Sequence, residues 1–320
     1  MTAALTLLGT AGGPPPFPGR SGISSALVVD DRTYLVDVGH GAFGQLHRSG
    51  IEAASLRAIF LTHLHSDHLA DLFSLVWLRH GGVRGLRGPV DIHGPGPAGA
   101  LPTGATDAVI CEEAPTPGTT DFLRHSMAAA AYDLNVRMRD ERWPDIREVV
   151  RAHDIALPGV GASAAGELAP RMSPFPVFED EHVRVSATLV PHPPVFPALA
   201  FRFDTAYGAV VFSGDTAVSE NLIELASGAD LLVHEAIDLG WIASIDMPAE
   251  LLEHLEASHT AIEDVGSVAQ RAGVGTLVLS HLVPASPDLV SDADWHERAQ
   301  LGFDGRVVVG TDLLTLPLPG

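Results

Sequence analysis

The sequence predicts an α/β layered domain. Two observations lead there: short apolar runs of β type, and intervening stretches where hydrophobic residues recur every three or four positions. A third fixes the working edge, because several runs end in a residue able to bind a metal. The first runs are Leu5–Leu8, Ala26–Val29, Tyr34–Val38 and Ala58–Thr62. Leu69, Leu72, Phe73 and Val76 then follow a helical period. Segment 94–180 is rich in Pro and Gly, holds few β runs, and carries one helical stretch at about Phe122–Arg139. It reads as an insertion, a lid or substrate wall, within one domain spanning 1–320. Strand-like runs resume at Val183–Val190, Ala200–Phe203, Ala209–Phe212, Leu231–Val233, Thr276–Leu279 and Val307–Val309. Ile262, Val265, Val268 and Ala269 mark a further helix.

Composition narrows the class. With 320 residues, 46% hydrophobic and 18% charged, the chain can build a sizeable core and is not disordered. No apolar stretch approaches the roughly 20 residues that span a bilayer, so no membrane partner is expected. Met1–Gly13 lacks a basic region followed by an apolar core, which predicts a cytoplasmic protein. Cys111 is the single cysteine, which excludes an internal disulfide framework. Forty acids oppose nineteen bases, all arginine, for a formal charge of -21. Such a surface repels polyphosphate at long range and disfavours a nucleic-acid partner. Sixteen histidines point instead to metal chemistry.

The decisive stretch is His63-Leu64-His65-Ser66-Asp67-His68, between a strand and a helix. Three imidazoles and a carboxylate in six residues suit zinc. They are too many for one metal that keeps an open position. Two adjacent metals account for them, His63 and His65 on one, Asp67 and His68 on the other. Later runs end in His192, in Asp215, in His234-Glu235 and in His281. Four such strand ends joining one histidine-rich loop are hard to assign to chance.

With these residues the chain resembles the metallo-β-lactamase superfamily, in its ribonuclease Z-like and arylsulfatase-like branch. The matching pieces include Leu8-Gly9-Thr10, Leu35-Val36-Asp37-Val38-Gly39, the His63–His68 motif, His192, Ser213-Gly214-Asp215-Thr216, His234-Glu235-Ala236, Ser258-His259-Thr260 and His281. The resemblance implies an αββα sandwich of two mixed β-sheets flanked by helices. It implies two Zn2+ per chain, with Mn2+ or Fe able to fill the same site. His63, His65 and His192 would hold the first metal, Asp67, His68 and His281 the second, and Asp215 would bridge them. It also implies a homodimer. The chemistry expected is attack by a metal-bound hydroxide on an ester-type bond. His259, oriented by Glu235, would donate a proton or stabilise the developing oxyanion, and Asp67 joins them as a catalytic residue. Asp37 would hold the loops beneath the metals. His234 reads equally as a ligand's support or as a satisfied buried histidine. His40 could face the pocket. His47, His80, His93, His125, His153, His182, His254 and His296 read as surface or packing residues.

Three functions are weighed. A small-molecule hydrolase acting on an aryl ester, sulfate, lactone or phosphodiester ranks first, with a partly apolar or aromatic substrate. Ribonuclease Z, trimming the 3′ ends of precursor tRNA, is the alternative, and a non-catalytic metal-binding scaffold ranks last. The ranking rests on the acidity, on the lack of a Lys-rich arm, and on His40-Gly41-Ala42-Phe43 where ribonuclease Z has Glu-Gly-Thr-Gln. Gly266 and Val278–Pro284 look more like the arylsulfatase-like relatives. Pro193–Pro197 with Phe196, the 94–180 insertion, and Ile237–Met247 with Trp241 are the expected substrate walls. Arg137, Arg139 and Arg142 would meet an anionic group or balance surface acids.

Overall fold

Side chains alternate across a strand, so each apolar run is divided between two faces. Tyr34 and Val36 belong to one buried cluster while Leu35 belongs to another. Phe60 and Ile59 separate in the same way, as do Phe212 and Val211. Strands buried on both faces need a layer on each side, which is the physical basis of the fold. The computed structural model describes residues 2–82, 85–86, 88–104 and 106–320. Ala105, inside the 94–180 segment, lies outside the described residues.

Fourteen strands are present among the described residues. In chain order they are β1 (Ala3–Gly9), β2 (Ser24–Val29), β3 (Arg32–Val36), β4 (Leu56–Phe60), β5 (Val90–Pro95), β6 (Val150–Ile155) and β7 (Phe175–Glu179). There follow β8 (Val183–Leu189), β9 (Leu199–Thr205), β10 (Gly208–Phe212), β11 (Leu231–Ile237), β12 (Thr276–Val283), β13 (Arg306–Val309) and β14 (Thr315–Pro317). One seven-stranded sheet has the order β14-β1-β2-β3-β4-β5-β6, the other β13-β12-β11-β10-β9-β8-β7. Both are mixed. β3 to β6 run parallel, as do β10 to β13, while the remaining pairs are antiparallel.

Leu5, Leu7, Tyr34, Phe60, Phe201, Phe203 and Phe212 fill the space between the sheets. Helices Glu220–Leu225, Ile262–Ala272 and Asp292–Ala299 cover one outer face. Helices Ala42–Arg48, Leu72–Arg79, Thr119–Ala129 and Ile146–Val149 cover the other. The result is two mixed sheets flanked by helices, as the resemblance implied. The helix expected at Phe122–Arg139 is broken into Thr119–Ala129 and Ala131–Val136, with a π-helical turn over Arg137–Glu141. β5, β6, β7 and β14 had no counterpart among the predicted runs. β14 has only three residues, and β5, β6 and β7 interleave Asp91, His93, Arg151, His153 or Glu179 with their apolar residues. No helix among the described residues is long and apolar enough to cross a membrane.

Parallel neighbours place the carboxyl ends of β3 and β4 side by side, and likewise those of β10, β11 and β12. At this edge the sheets are joined directly, since Leu199 N–H donates to the Thr62 carbonyl at 2.9 Å. Both sheets therefore deliver loops to one place. Packing of the outer layer is tight enough to exclude a methyl group at Gly266. A Cβ there would lie 2.4 Å from the carbonyl oxygens of Ala299 and Leu301. Gly266→Ala is expected to destabilise the fold by about 1–3 kcal/mol through overpacking, despite the better helix propensity of alanine. A denaturant titration checks this; an unchanged or raised midpoint would refute it.

Candidate active site

β4 ends at Phe60, and the chain turns into the short helix Ser66–Leu69. His63, Asp67 and His68 are buried in that turn, and His65 is half-buried. The second sheet supplies the rest. His192 follows β8, Asp215 follows β10, and His281 lies within β12. All three are buried.

The donors collect into two groups. One ring nitrogen from each of His63, His65 and His192 lies within 4.8 Å of the others, and the donor atoms of Asp67, His68 and His281 do the same. Asp215 touches both groups. Its oxygens lie 3.9 Å from His63 Nε2, 3.3 Å from His68 Nε2 and 3.3 Å from His281 Nε2. The structure thus brings together all seven residues predicted as ligands.

Hydrogen bonds behind the rings choose which nitrogen faces inward. His68 Nδ1 donates to Asp37 Oδ2 at 2.8 Å, and His192 Nδ1 donates to the Ser258 carbonyl at 2.9 Å. Both arrangements leave Nε2 for the cluster. Among the described residues, His63 Nε2, His68 Nε2 and Asp215 Oδ1 are buried without a hydrogen-bond partner. Leaving such an atom unpaired costs about 1–3 kcal/mol, so three in one spot call for a cation. Nitrogen and oxygen donors without sulfur fit zinc, and also manganese or iron.

Protons take the cation's place in the metal-free chain. Burial works against charge on His68, but Asp215 and Asp37 push it well above the ordinary imidazole range. Burial likewise opposes charge on His281, and Asp215 with Asp67 pushes it up. Burial pushes His63 far down, His65 down, and His192 down to about 3. Asp67 is resisted by burial but held down to about 2 by its hydrogen bond with His281 and the charge of His68. Asp215 is also resisted by burial, yet His281 and His68 hold it well below the carboxylate range.

Asp37 sits beneath the cluster, as expected. Its Oδ1 accepts the Thr62 N–H and its Oδ2 accepts the Thr62 hydroxyl, both at 2.8 Å. Its backbone is left-handed, with φ 57°, and so is that of His281, with φ 47°. Non-glycine residues seldom adopt this region, and their strain is tolerated where surrounding structure fixes them. Gly214 turns the chain ahead of Asp215 with φ 60°. A Cβ there would meet the Leu199 carbonyl oxygen at 2.7 Å.

His259 stands just after the helix Ala249–Ser258. Its Nδ1 donates to Glu235 Oε1 at 2.9 Å, and the same oxygen accepts the Thr216 N–H at 2.8 Å. Burial opposes charge on this ring, but the Glu235 carboxylate outweighs it and pushes His259 up to about 9. The ring lies 5.0 Å from that of His192 and 6.0 Å from that of His281, so it adjoins both groups. His234 is buried in β11, with Nδ1 donating to the Glu235 carbonyl at 2.7 Å. It lines a cavity of about 30 Å³ together with Asp37, Thr62, His68 and Asp215. His40 is exposed.

His254, read from the sequence as a surface or packing residue, lies beside the site. Its Nδ1 lies 3.2 Å from Ser258 Oγ, and its ring is 6.3 Å from His192 and 6.4 Å from His259. Its place one turn before Ser258 was the available signal. His93 and His153 stack at 4.6 Å, and His80 meets Trp143 at 4.9 Å, which is packing as expected. Arg137 pairs with Asp133 and Glu141 and lies 4.5 Å over Trp143, so it balances surface acids. Trp241 packs against the outer helical layer.

Residues 18–255 match the metallo-beta-lactamase superfamily. The chain belongs to that superfamily. It is a metallo-beta-lactamase-fold hydrolase. Ribonuclease Z of Mycobacterium bovis is 30% identical over 313 residues, covering 97% of this chain and 96% of the relative. Ribonuclease Z of a Mycobacterium species, strain KMS, is 33% identical over 314 residues, covering 97% and 94%. The crystal structure of human tRNase Z, short form, superposes with TM-score 0.65 at 22% identity, over 99% of this chain and 100% of that one. The metallo-beta-lactamase fold protein YhfI from Bacillus subtilis gives TM-score 0.62 at 18% identity, over 99% and 100%.

These relatives overturn two expectations. Small-molecule ester hydrolysis ranked first, and nucleic acid was disfavoured as a partner; relatives matched along nearly the whole chain are instead ribonucleases. The signals behind that ranking have other physical causes. Leu282 N–H donates to the Thr10 carbonyl at 3.0 Å, and its own carbonyl accepts the Gly12 N–H at 3.1 Å. Gly266 answers a close helix contact. Those positions report packing, not substrate. Net charge is a sum over the whole surface, whereas a phosphodiester senses charges within about 8 Å at physiological salt. Asp37, Asp67, Asp215 and Glu235 swell the acidic count yet lie in or beside the candidate metal centre.

Zinc added to the metal-free chain at pH 7 is expected to displace protons from His68 and His281. Calorimetry in buffers of differing ionisation enthalpy measures this, and a buffer-independent heat would exclude it. Asp37→Ala removes no ligand but frees His68 and the loop at Thr62. It is expected to weaken zinc affinity roughly 10- to 100-fold, read by chelator competition; unchanged affinity would remove Asp37 from the support.

Proposed function

We propose that this chain is a ribonuclease Z-type endonuclease that processes the 3′ ends of precursor tRNA. What carries the reading is identity of 30–33% with ribonuclease Z along 97% of the chain. The convergence of seven donor residues at one sheet edge supports it. His63, His65 and His192 would hold one zinc ion and Asp67, His68 and His281 a second, with Asp215 in reach of both groups. Mn2+ or Fe suits the same donors. Such ions, when bound, lower the pKa of water and polarise the phosphoryl oxygens.

The chain's own residues do the rest. Asp37 and the Ser258 carbonyl fix the tautomers of His68 and His192, so their Nε2 atoms are ready as donors without rearrangement. Burial of the cluster strengthens every charge interaction inside it. Glu235 accepts the Nδ1 proton of His259 and is itself held by the Thr216 N–H. This leaves His259 Nε2 to meet the departing oxygen. The Glu235 carboxylate keeps the ring protonated near neutral pH, so that it has a proton to give. Asp67 would act by holding its metal, and within a single domain the 94–180 segment supplies both a wall, at 95–102 and 116–117, and the edge strands β6 and β7. A cytoplasmic homodimer goes with this reading, and sedimentation at monomer mass would remove the dimer from it.

Chelator-sensitive cutting of a precursor tRNA beside the discriminator base is the expected result with zinc-loaded protein. Cleavage of a chromogenic phosphodiester without any tRNA cleavage would overturn the assignment. His259→Ala is expected to lower kcat by roughly 10²- to 10⁴-fold while zinc content stays unchanged. Joint loss of metal and activity would instead make His259 part of the metal site.

A further inference from the structure

Beside the His63–His65–His192 group lies a pocket of about 220 Å³. Leu64, Val195 and Phe196 line it, with Pro95, Pro117 and Pro194. Leu64 sits between two of the candidate ligands. Val195 N–H donates to the carbonyl of His192, the third, at 2.8 Å. The pocket is thus lined by the chain neighbours of all three candidate ligands of this group. Its opposite wall comes from residues 95–102 and 116–117, anchored where the Thr119 hydroxyl donates to the Pro95 carbonyl at 3.0 Å. Phe196 is half-buried and backed by the core between the sheets, so its ring is held in place.

Among the described residues, none that lines this pocket is charged. That is informative in a chain of formal charge -21 with no lysine. Arg57, Arg271 and Arg298 are each engaged with carboxylates of the protein. An RNA strand cannot be held here mainly by a cationic clamp. An unpaired base offers another handle, because its faces are apolar and stack on aromatic rings. An uncharged pocket rejects phosphate and accepts such a face. Among the described residues Thr116 is its only polar side chain, so it offers little means of telling one base from another.

We propose that this pocket binds an unpaired nucleobase next to the cleaved phosphodiester, stacked on Phe196 and seated among the prolines. Stacking, rather than charge, then positions the RNA. The proposal rests on the ribonuclease reading above. It also gives the apolar walls foreseen in the sequence a nucleic-acid use.

The test pairs Phe196 variants with precursor tRNAs carrying one abasic nucleotide on either side of the cut. Phe196→Ala is expected to lower kcat/KM roughly 5- to 150-fold, chiefly through KM, with zinc content and thermal unfolding unchanged. Phe196→Tyr should restore the loss. One abasic position should produce the same loss in the native enzyme and no further loss in Phe196→Ala. Losses that multiply at every abasic position would overturn the proposal, as would a Phe196→Ala enzyme with native KM. Should Phe196→Ala fail to fold, Phe196→Leu keeps the apolar bulk without the ring and is judged by the same criterion. Native enzyme that cuts a chromogenic phosphodiester but no tRNA defeats the ribonuclease reading, and this proposal with it. Normal tRNA cutting that is indifferent to Phe196 defeats the pocket alone.

Discussion

His63, His68, His192, His281, Asp67 and Asp215 are pressed together out of water, and that crowding sets the terms for everything around it. Taking charges from water costs several kcal/mol per ion even after relaxation, and neutral donors left unpaired cost about 1–3 kcal/mol each. Protons answer part of this in the metal-free chain, by settling on His68 and His281 beside the carboxylates. Divalent cations answer it better, because each one satisfies several donors at once. The surrounding hydrogen bonds make sense on those terms. Asp37 and the Ser258 carbonyl hold rings that would otherwise turn away from one another.

The sandwich exists to bring two edges together. Neither sheet alone carries the donor set: the first contributes 63–68, the second contributes 192, 215 and 281. Their junction is a backbone hydrogen bond between Leu199 and Thr62, and Thr62 is also the residue gripped by Asp37. Sheet docking and ligand placement are thereby one event. The left-handed backbones of Asp37 and His281 fall at this junction. Local conformational preference yields there to the demands of the site.

Much of this was legible beforehand. The long β runs carried uninterrupted Val, Leu, Ile and Phe, so their strands and the ligands at their ends could be placed. β5, β6 and β7 could not, because strands that mix charged and apolar residues have no clear period, and β14 has only three residues. Spacing and position at strand ends gave the loop donors and a wider group of candidates that also held His234 and Glu235, and the family resemblance chose the seven ligands among them. His254 was not among the candidates, since only the packing of helix Ala249–Ser258 brings it near His192. The substrate was misjudged for a different reason. Acidity and the residues after His281 were read as statements about the ligand, but the first is a global sum and the second serves contacts with β1. Pattern reveals chemistry at a point; it does not separate a residue that touches substrate from one that holds a neighbour in place.

The order of the ligands along the chain has a consequence for the protein's birth. His63 to His68 emerge early from the ribosome, His192 and Asp215 later, and His281 last, in a strand paired on both sides with β11 and β13. A chain halted anywhere before β12 lacks a donor of the second group and two of the seven strands of its sheet. Incomplete products of synthesis or of proteolysis therefore hold no full centre. Competence to cut is withheld until nearly the whole polypeptide has been made and folded.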